Sequence, residues 1–183
     1  MTTPPQSLED RFAALEARVQ AIEAERDIQR LLASYGPCVD ATDAVSAARL
    51  WCEDGSYDVE GWRMQSRDDV RAMVESSGHR ELVAGGCCHF LGPAVVTVDG
   101  DEAVALCESL VLLRAPQADV ERIDRAAWRH SPSEYLVWRA AANHFRLRRV
   151  DGRWQISART SRLLDGDPAA HRLLIAGVAG QPV

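Results

Sequence analysis

The apolar positions of this chain change period half-way along it. From Leu8 they recur at Phe12, Leu15, Val19 and Ile22, then at Ile28, Leu31, Leu32 and Tyr35. Steps of three, four and seven put such side chains on one broad face of a helix. The pattern lapses over residues 23–27, which predicts two helices with a break between them. Gly36-Pro37 falls near the end of the second and predicts a kink, because proline has no N–H and clashes with the carbonyl four residues back. Asp43 is placed to cap a short helix over 44–51. Asp54-Gly55 reads as a turn and 56–60 as a short strand. Ser66 and Asp69 have capping-box spacing, opening a helix over 67–76 that Gly78 closes.

Beyond residue 93 the period falls to two. Residues 94–98 read as a strand, Asp99-Gly100-Asp101 as a hairpin turn, and 103–113 as a longer strand. Two more strands, 135–150 and 153–164, flank the turn Asp151-Gly152. Between strands 103–113 and 135–150 lies a polar insert, 115–134, that carries Trp128 and His130. It is longer than an ordinary connection and is expected to project over a pocket mouth or onto a neighbouring subunit. A short helix over 168–175 ends the pattern. Helices followed by an antiparallel meander predict an α+β domain with helices on one face of a curved sheet. The expected divisions are an N-terminal extension with an amphipathic helix (1–23), the domain with its insert (24–165), and a C-terminal tail with a short helix (166–183).

The chain has 183 residues, 46% hydrophobic and 26% charged. That length buries roughly 70% of the unfolded surface, enough for one core and an internal pocket. No apolar run approaches the ~20 residues that cross a bilayer. The first nine residues lack a basic start and an apolar centre, so no secretion signal is expected. Five cysteines, Cys38, Cys52, Cys87, Cys88 and Cys107, form no C-x-x-C pair, and a reducing, cytoplasmic setting is expected. The net charge of −6 offers no basic footprint for nucleic acid. All 21 basic residues are arginine, which excludes Schiff-base chemistry and a P-loop lysine. Val104, Leu106, Leu110, Leu112 and Trp138 occupy both strand phases, so they cannot all face one interior. A homo-oligomer, dimer or trimer, formed through the sheet is expected.

The residues suited to chemistry are Tyr35, Asp40, Tyr57, His89 and Asn143, scattered along the chain. Each has an ordinary structural reading: helix-end carboxylate for Asp40, core packing for Tyr35 and His89, sheet-edge polarity for Asn143. The order of motifs goes further. Ser34-Tyr35-Gly36-Pro37-Cys38-Val39-Asp40-Ala41-Thr42-Asp43, with Leu50-Trp51-Cys52-Glu53-Asp54-Gly55, resembles the opening of SnoaL-like proteins of the NTF2-like superfamily. His89-Phe90-Leu91-Gly92, the turn 98–103 and Val150-Asp151-Gly152-Arg153-Trp154 continue the resemblance in order over about residues 24–165. It implies a cone, a curved sheet wrapped round a pocket and closed by N-terminal helices.

Within that superfamily the chain is most similar to the scytalone dehydratase, bile-acid 7α-dehydratase and hexachlorocyclohexane dehydrochlorinase branch. The resemblance implies that Asp40 orients His89, with Tyr35 as a polar catalytic contact and Asn143 and Tyr57 as substrate contacts. Cys107 stands where the scytalone enzyme has a second pocket histidine. Trp62 is a candidate for an apolar lining. Arg159 parallels a pocket arginine of the dehydrochlorinase, although a surface ion pair is the plainer expectation. The implied activity is proton abstraction with elimination or isomerisation of a mostly apolar cyclic molecule of steroid, polyketide or aromatic type, without a cofactor. Cys87-Cys88-His89 raises zinc, but neighbouring strand residues point to opposite faces, so no metal is expected. The competing class is a non-catalytic binding or assembly module of the same fold, such as a protein like the small subunit of ring-hydroxylating dioxygenases.

Overall fold

The computed structural model describes residues 7–114 and 135–183; the insert expected over 115–134 lies outside the described residues. The two N-terminal helices are one. Helix α1 runs unbroken over Leu8–Asp40, opened by a capping box in which Ser7 and Asp10 bond each other's backbone N–H. Residues 23–27 contain no glycine or proline, so nothing in them stops a helix. The lapse in the pattern marks a change of face: residues 8–23 are exposed, and domain contact begins at Ala24 and continues through Ile28, Leu32, Tyr35 and Val39. Pro37, where a kink was expected, lies inside the helix, which continues to Asp40.

Helix α2 (Ala44–Ala48) is capped by Asp43 as expected but stops short, because Trp51 opens strand β1 (Trp51–Val59). Asp54-Gly55 is an irregularity within that strand rather than a turn before it. After β2 (Trp62–Met64), helix α3 (Arg67–Glu75) is capped by Ser66. The reciprocal bond slips by one residue, since the Asp69 carboxylate accepts from the backbone N–H of Gln65. Gly78 does not close α3. It lies in the first turn of an unforeseen helix, α4 (Ser77–Ala84), and Ser76 serves as the end of α3 and the N-cap of α4.

The remaining strands are β3 (Cys87–Leu91), β4 (Val95–Asp99), β5 (Glu102–Arg114), β6 (Tyr135–Val150) and β7 (Arg153–Leu163). They form a mixed sheet in the order β2-β1-β7-β6-β5-β3, with β4 also paired to β5 and only β1–β7 parallel. β3 and β4 follow one another along the same edge of β5, interrupted by residues 92–94.

The inner face holds the main core, where Trp51, Phe145, Leu147 and Ile156 pack beneath α1 and α3. Helices cover both faces, which corrects the one-face expectation. Helix α5 (Pro168–Val178) lies on the outer face, where Ala170 and Leu173 pack against Ala142. A Cβ on Gly177 would sit 2.6 Å from the Leu106 Cβ, so the helix needs glycine there to approach the sheet. Val104 and Leu106 are thus buried by the chain itself and do not require a partner, whereas Trp138 is exposed. Among the described residues no helix is long and apolar enough to cross a membrane.

Candidate active site

Strand register and one close helix crossing assemble the site. Tyr57 on β1 pairs with Arg159 on β7, and Arg159 with Phe145 on β6, so these three form one inward row. Cys107, Asn143 and Ser161 form the next. On β3, His89 is opposite Val111 of β5. The last turns of α1 cross directly over β3. A Cβ on Gly36 would overlap the carbonyl oxygen of His89, so only glycine permits that approach. It sets Asp40 against His89.

The Asp40 carboxylate accepts twice from that one residue. Oδ2 takes the backbone N–H of His89 at 2.8 Å, and Oδ1 takes the ring at Nδ1, 2.7 Å away. A carboxylate can only accept, so Nδ1 carries the proton and Nε2 keeps its lone pair. Among the described residues Nε2 has no hydrogen-bond partner. The ring is 16% exposed.

Aromatic groups surround the pair. Tyr35 meets the His89 ring edge-on, centroids 6.4 Å apart, and also meets Trp51 and Tyr57. Burial, and then Tyr57, hold the Tyr35 phenol well above its ordinary range, so it remains a neutral O–H donor. His79 stacks on His89 at 5.7 Å between centroids. It is buried, and neither of its ring nitrogens has a partner among the described residues.

Arg159 is not on the surface. It is 4% exposed, and its guanidinium carbon lies 4.3 Å from the centroid of Tyr35, 4.4 Å from Tyr57 and 5.2 Å from Phe145. Nε and Nη2 donate to Asn143 Oδ1 at 3.1 and 2.7 Å, while the Asn143 amide donates to Ser109 Oγ at 2.8 Å. No carboxylate pairs with Arg159 among the described residues. Three ring faces and an amide oxygen offset part of the charge, and Nη1 remains buried without a partner. A buried cationic donor left unused costs stability unless something else takes it.

The predicted residues separate accordingly. Asp40, His89, Tyr35, Tyr57, Asn143 and Arg159 share the inner face, and Cys107 is buried beside Asn143 with its thiol pushed up to about 11 by burial. Trp62 stands apart, exposed on β2, because its strand lies at the sheet edge. Three metal-donor atoms gather within 4.8 Å of one another, from Asp40, Cys87 and His89. Cys88 is not among them. Burial, then Asp40, raise the Cys87 thiol to about 11. A surface cleft of about 330 Å³, lined by Thr42, Asp43, Val74, Glu75 and Arg80, includes neither member of the Asp40–His89 pair.

His79, Ser109 and the crossing at Gly36 escaped the sequence reading. For His79 the signal was Ser76, an N-cap three residues ahead whose Oγ accepts the His79 N–H. Its titration gives a prediction. Burial, and then the charge of His89, lower the His79 pKa; burial also lowers that of His144. Below about 6.5 the unfolded chain then binds more protons than the folded one. Stability should be full above that pH and fall as the pH drops toward the lowered folded values. Urea midpoints between pH 7.5 and 5 should show the fall, and His79→Gln should reduce it. An identical pH dependence in the variant would mean His79 is not held neutral by burial.

Comparison with known proteins places the architecture. Residues 20–160 match the family model of the SnoaL-like domain. An NTF2-like protein with a cystatin-like fold from Novosphingobium aromaticivorans is 36% identical over 92% of this chain and 97% of its own, with a TM-score of 0.76. A Mycobacterium tuberculosis protein of unknown function, solved as an Asp-to-Asn variant, is 24% identical over 91% of this chain and 95% of its own, TM-score 0.65. A second N. aromaticivorans protein, provisionally assigned as a scytalone dehydratase, is 18% identical over 80% and 87%, TM-score 0.58, which is a likeness of fold. No curated protein matches the sequence significantly.

Proposed function

We propose a function from one premise: this chain belongs to the SnoaL-like domain family, with the NTF2-like, cystatin-like fold. The reading is a lyase or isomerase, dehydratase-like, that removes a carbon-bound proton without a cofactor. One observation carries it: Asp40 accepts from Nδ1 of His89, which leaves Nε2 as the base. When Nε2 takes a proton, the ring becomes cationic, and the carboxylate already on Nδ1 stabilises it. The neutral Tyr35 phenol, whose ring meets both His89 and Arg159, and the unused Nη1 of Arg159 are the candidate donors. Either suits an oxygen that gains charge as an enolate forms. Asn143 acts by holding Arg159.

The surroundings of the pair suggest the substrate class. Aromatic rings and apolar strand residues favour a mostly apolar cyclic molecule of steroid, polyketide or aromatic type, carrying a carbonyl that acidifies the adjacent C–H. The closely packed row Tyr35–Arg159–Tyr57 favours a second reading, a non-catalytic binding or assembly module. Native mass spectrometry of protein purified from its host, followed by deuterium uptake from D2O into cyclic ketones and β-hydroxy ketones, separates the two. A retained cyclic ligand and exchange at its α-carbon are expected. Absence of both would leave the module reading.

A further inference from the structure

Among the described residues the first half of α1 makes no contact that explains its sequence. Residues 8–23 are exposed, yet Leu8, Phe12, Leu15, Val19 and Ile22 line one side, each between 44% and 66% exposed. Their spacing is four, three, four, three. That is the strict 3.5-residue repeat of a coiled-coil seam, narrower than the stripe of a helix packed on a domain. In heptad terms Leu8, Leu15 and Ile22 occupy d, and Phe12 and Val19 occupy a. The next a position is Arg26, which ends the seam where the domain begins.

The flanking charges select both partner and direction. Every e position is glutamate (Glu9, Glu16, Glu23) and both g positions within the seam are arginine (Arg11, Arg18). Two parallel copies set g of one heptad against e of the next on the other chain. Arg11 would then meet Glu16 of the partner subunit, and Arg18 would meet Glu23 of the partner subunit. Antiparallel copies would set arginine against arginine and glutamate against glutamate. The pattern is therefore self-complementary in one orientation. At about 100° per residue, the seam is centred about 140° round α1 from the Ile28–Leu32–Val39 face, so a partner helix approaches from the side away from the domain.

We infer that residues 8–23 pair with the same segment of a second copy of this chain as a parallel two-stranded coiled coil. Leucine at two d positions and β-branched Val19 at an a position fit two strands. A free peptide of sixteen residues would be marginal as a helix. Here the second half of α1 is already folded onto the domain, and Ser7 caps the free end. The helix is formed before it associates.

Light scattering and sedimentation equilibrium on the full chain test this. Twice the chain mass is expected at micromolar concentration. Leu15→Glu with Ile22→Glu should give the monomer mass with an unchanged thermal transition of the domain. Arg11→Glu with Arg18→Glu should raise the dimer dissociation constant about tenfold or more, since all four interchain pairs become repulsive. Adding Glu16→Arg and Glu23→Arg to that variant should restore the dimer. A wild-type monomer would overturn the proposal. So would a dimer indifferent to Leu15→Glu and Ile22→Glu, which would lie elsewhere on the surface. Failure of the second charge pair to rescue the first would exclude the parallel register.

Discussion

Replacing His89 with alanine is expected to slow proton abstraction by roughly 10²–10⁴-fold, the contribution of a positioned general base. The fold should survive, because the ring is partly exposed and its neighbours on β3 stay paired to β5. Asp40→Asn should fall in the same range for a different reason. Asp40 takes two N–H groups, one on each oxygen. An amide has one acceptor oxygen and one donor NH2. With the oxygen on the backbone N–H, the NH2 faces Nδ1 and forces the proton onto Nε2, which abolishes the base. Tyr35→Phe should cost less, since it removes one O–H donor and keeps the ring contacts. Single-turnover rates on any substrate that exchanges its α-proton make the comparison. Full activity in His89→Ala would make the pair structural and favour the module reading.

The largest expected effect on stability comes from a single methyl group. Gly36→Ala should destabilise the domain by about 3 kcal/mol, the upper end of overpacking penalties, because the added carbon meets a backbone carbonyl that cannot rotate away. Helix propensity alone predicts the opposite sign, a gain of up to about 1 kcal/mol. Gly78 is the control: it lies in helix α4 with nothing within 4 Å of a Cβ, so Gly78→Ala should be neutral or stabilising. The urea midpoint should therefore fall for Gly36→Ala and hold or rise for Gly78→Ala. Because α1 must withdraw from β3 to admit the methyl group, Gly36→Ala should also separate Asp40 from His89 and lower activity. Equal gains in both variants would show that the crossing has room.

The strands after residue 93 were legible almost to the residue because Asp-Gly turns punctuate them and alternation fixes their faces. The helical half was less so. A lapse in an apolar stripe signals a broken backbone or a change of what the helix faces, and the periodicity alone does not tell these apart. Helix α4 is eight residues with only His79 buried, too little pattern to register. In the site, Asp40 and His89 stood out through resemblance, since 49 residues separate them and no local rule brings them together. Arg159 was misplaced for a physical reason. Arginine is ordinarily a surface residue, and what buries this one comes from α1 and β1, both distant in sequence, as well as from β6 across the hairpin.

The free half of α1 also changes how the molecule moves. Sixteen residues of helix extend about 24 Å, whereas a compact body of about 140 residues, the number described beyond residue 23, has a radius of gyration of about 14 Å. A rod longer than that radius adds drag out of proportion to its mass. The protein should sediment more slowly and leave a gel-filtration column earlier than a sphere of equal mass, and it should tumble faster about the rod axis than across it. An elution volume calibrated on round proteins would overstate the number of chains, and only the ratio of sedimentation to diffusion, or scattered intensity, counts them correctly.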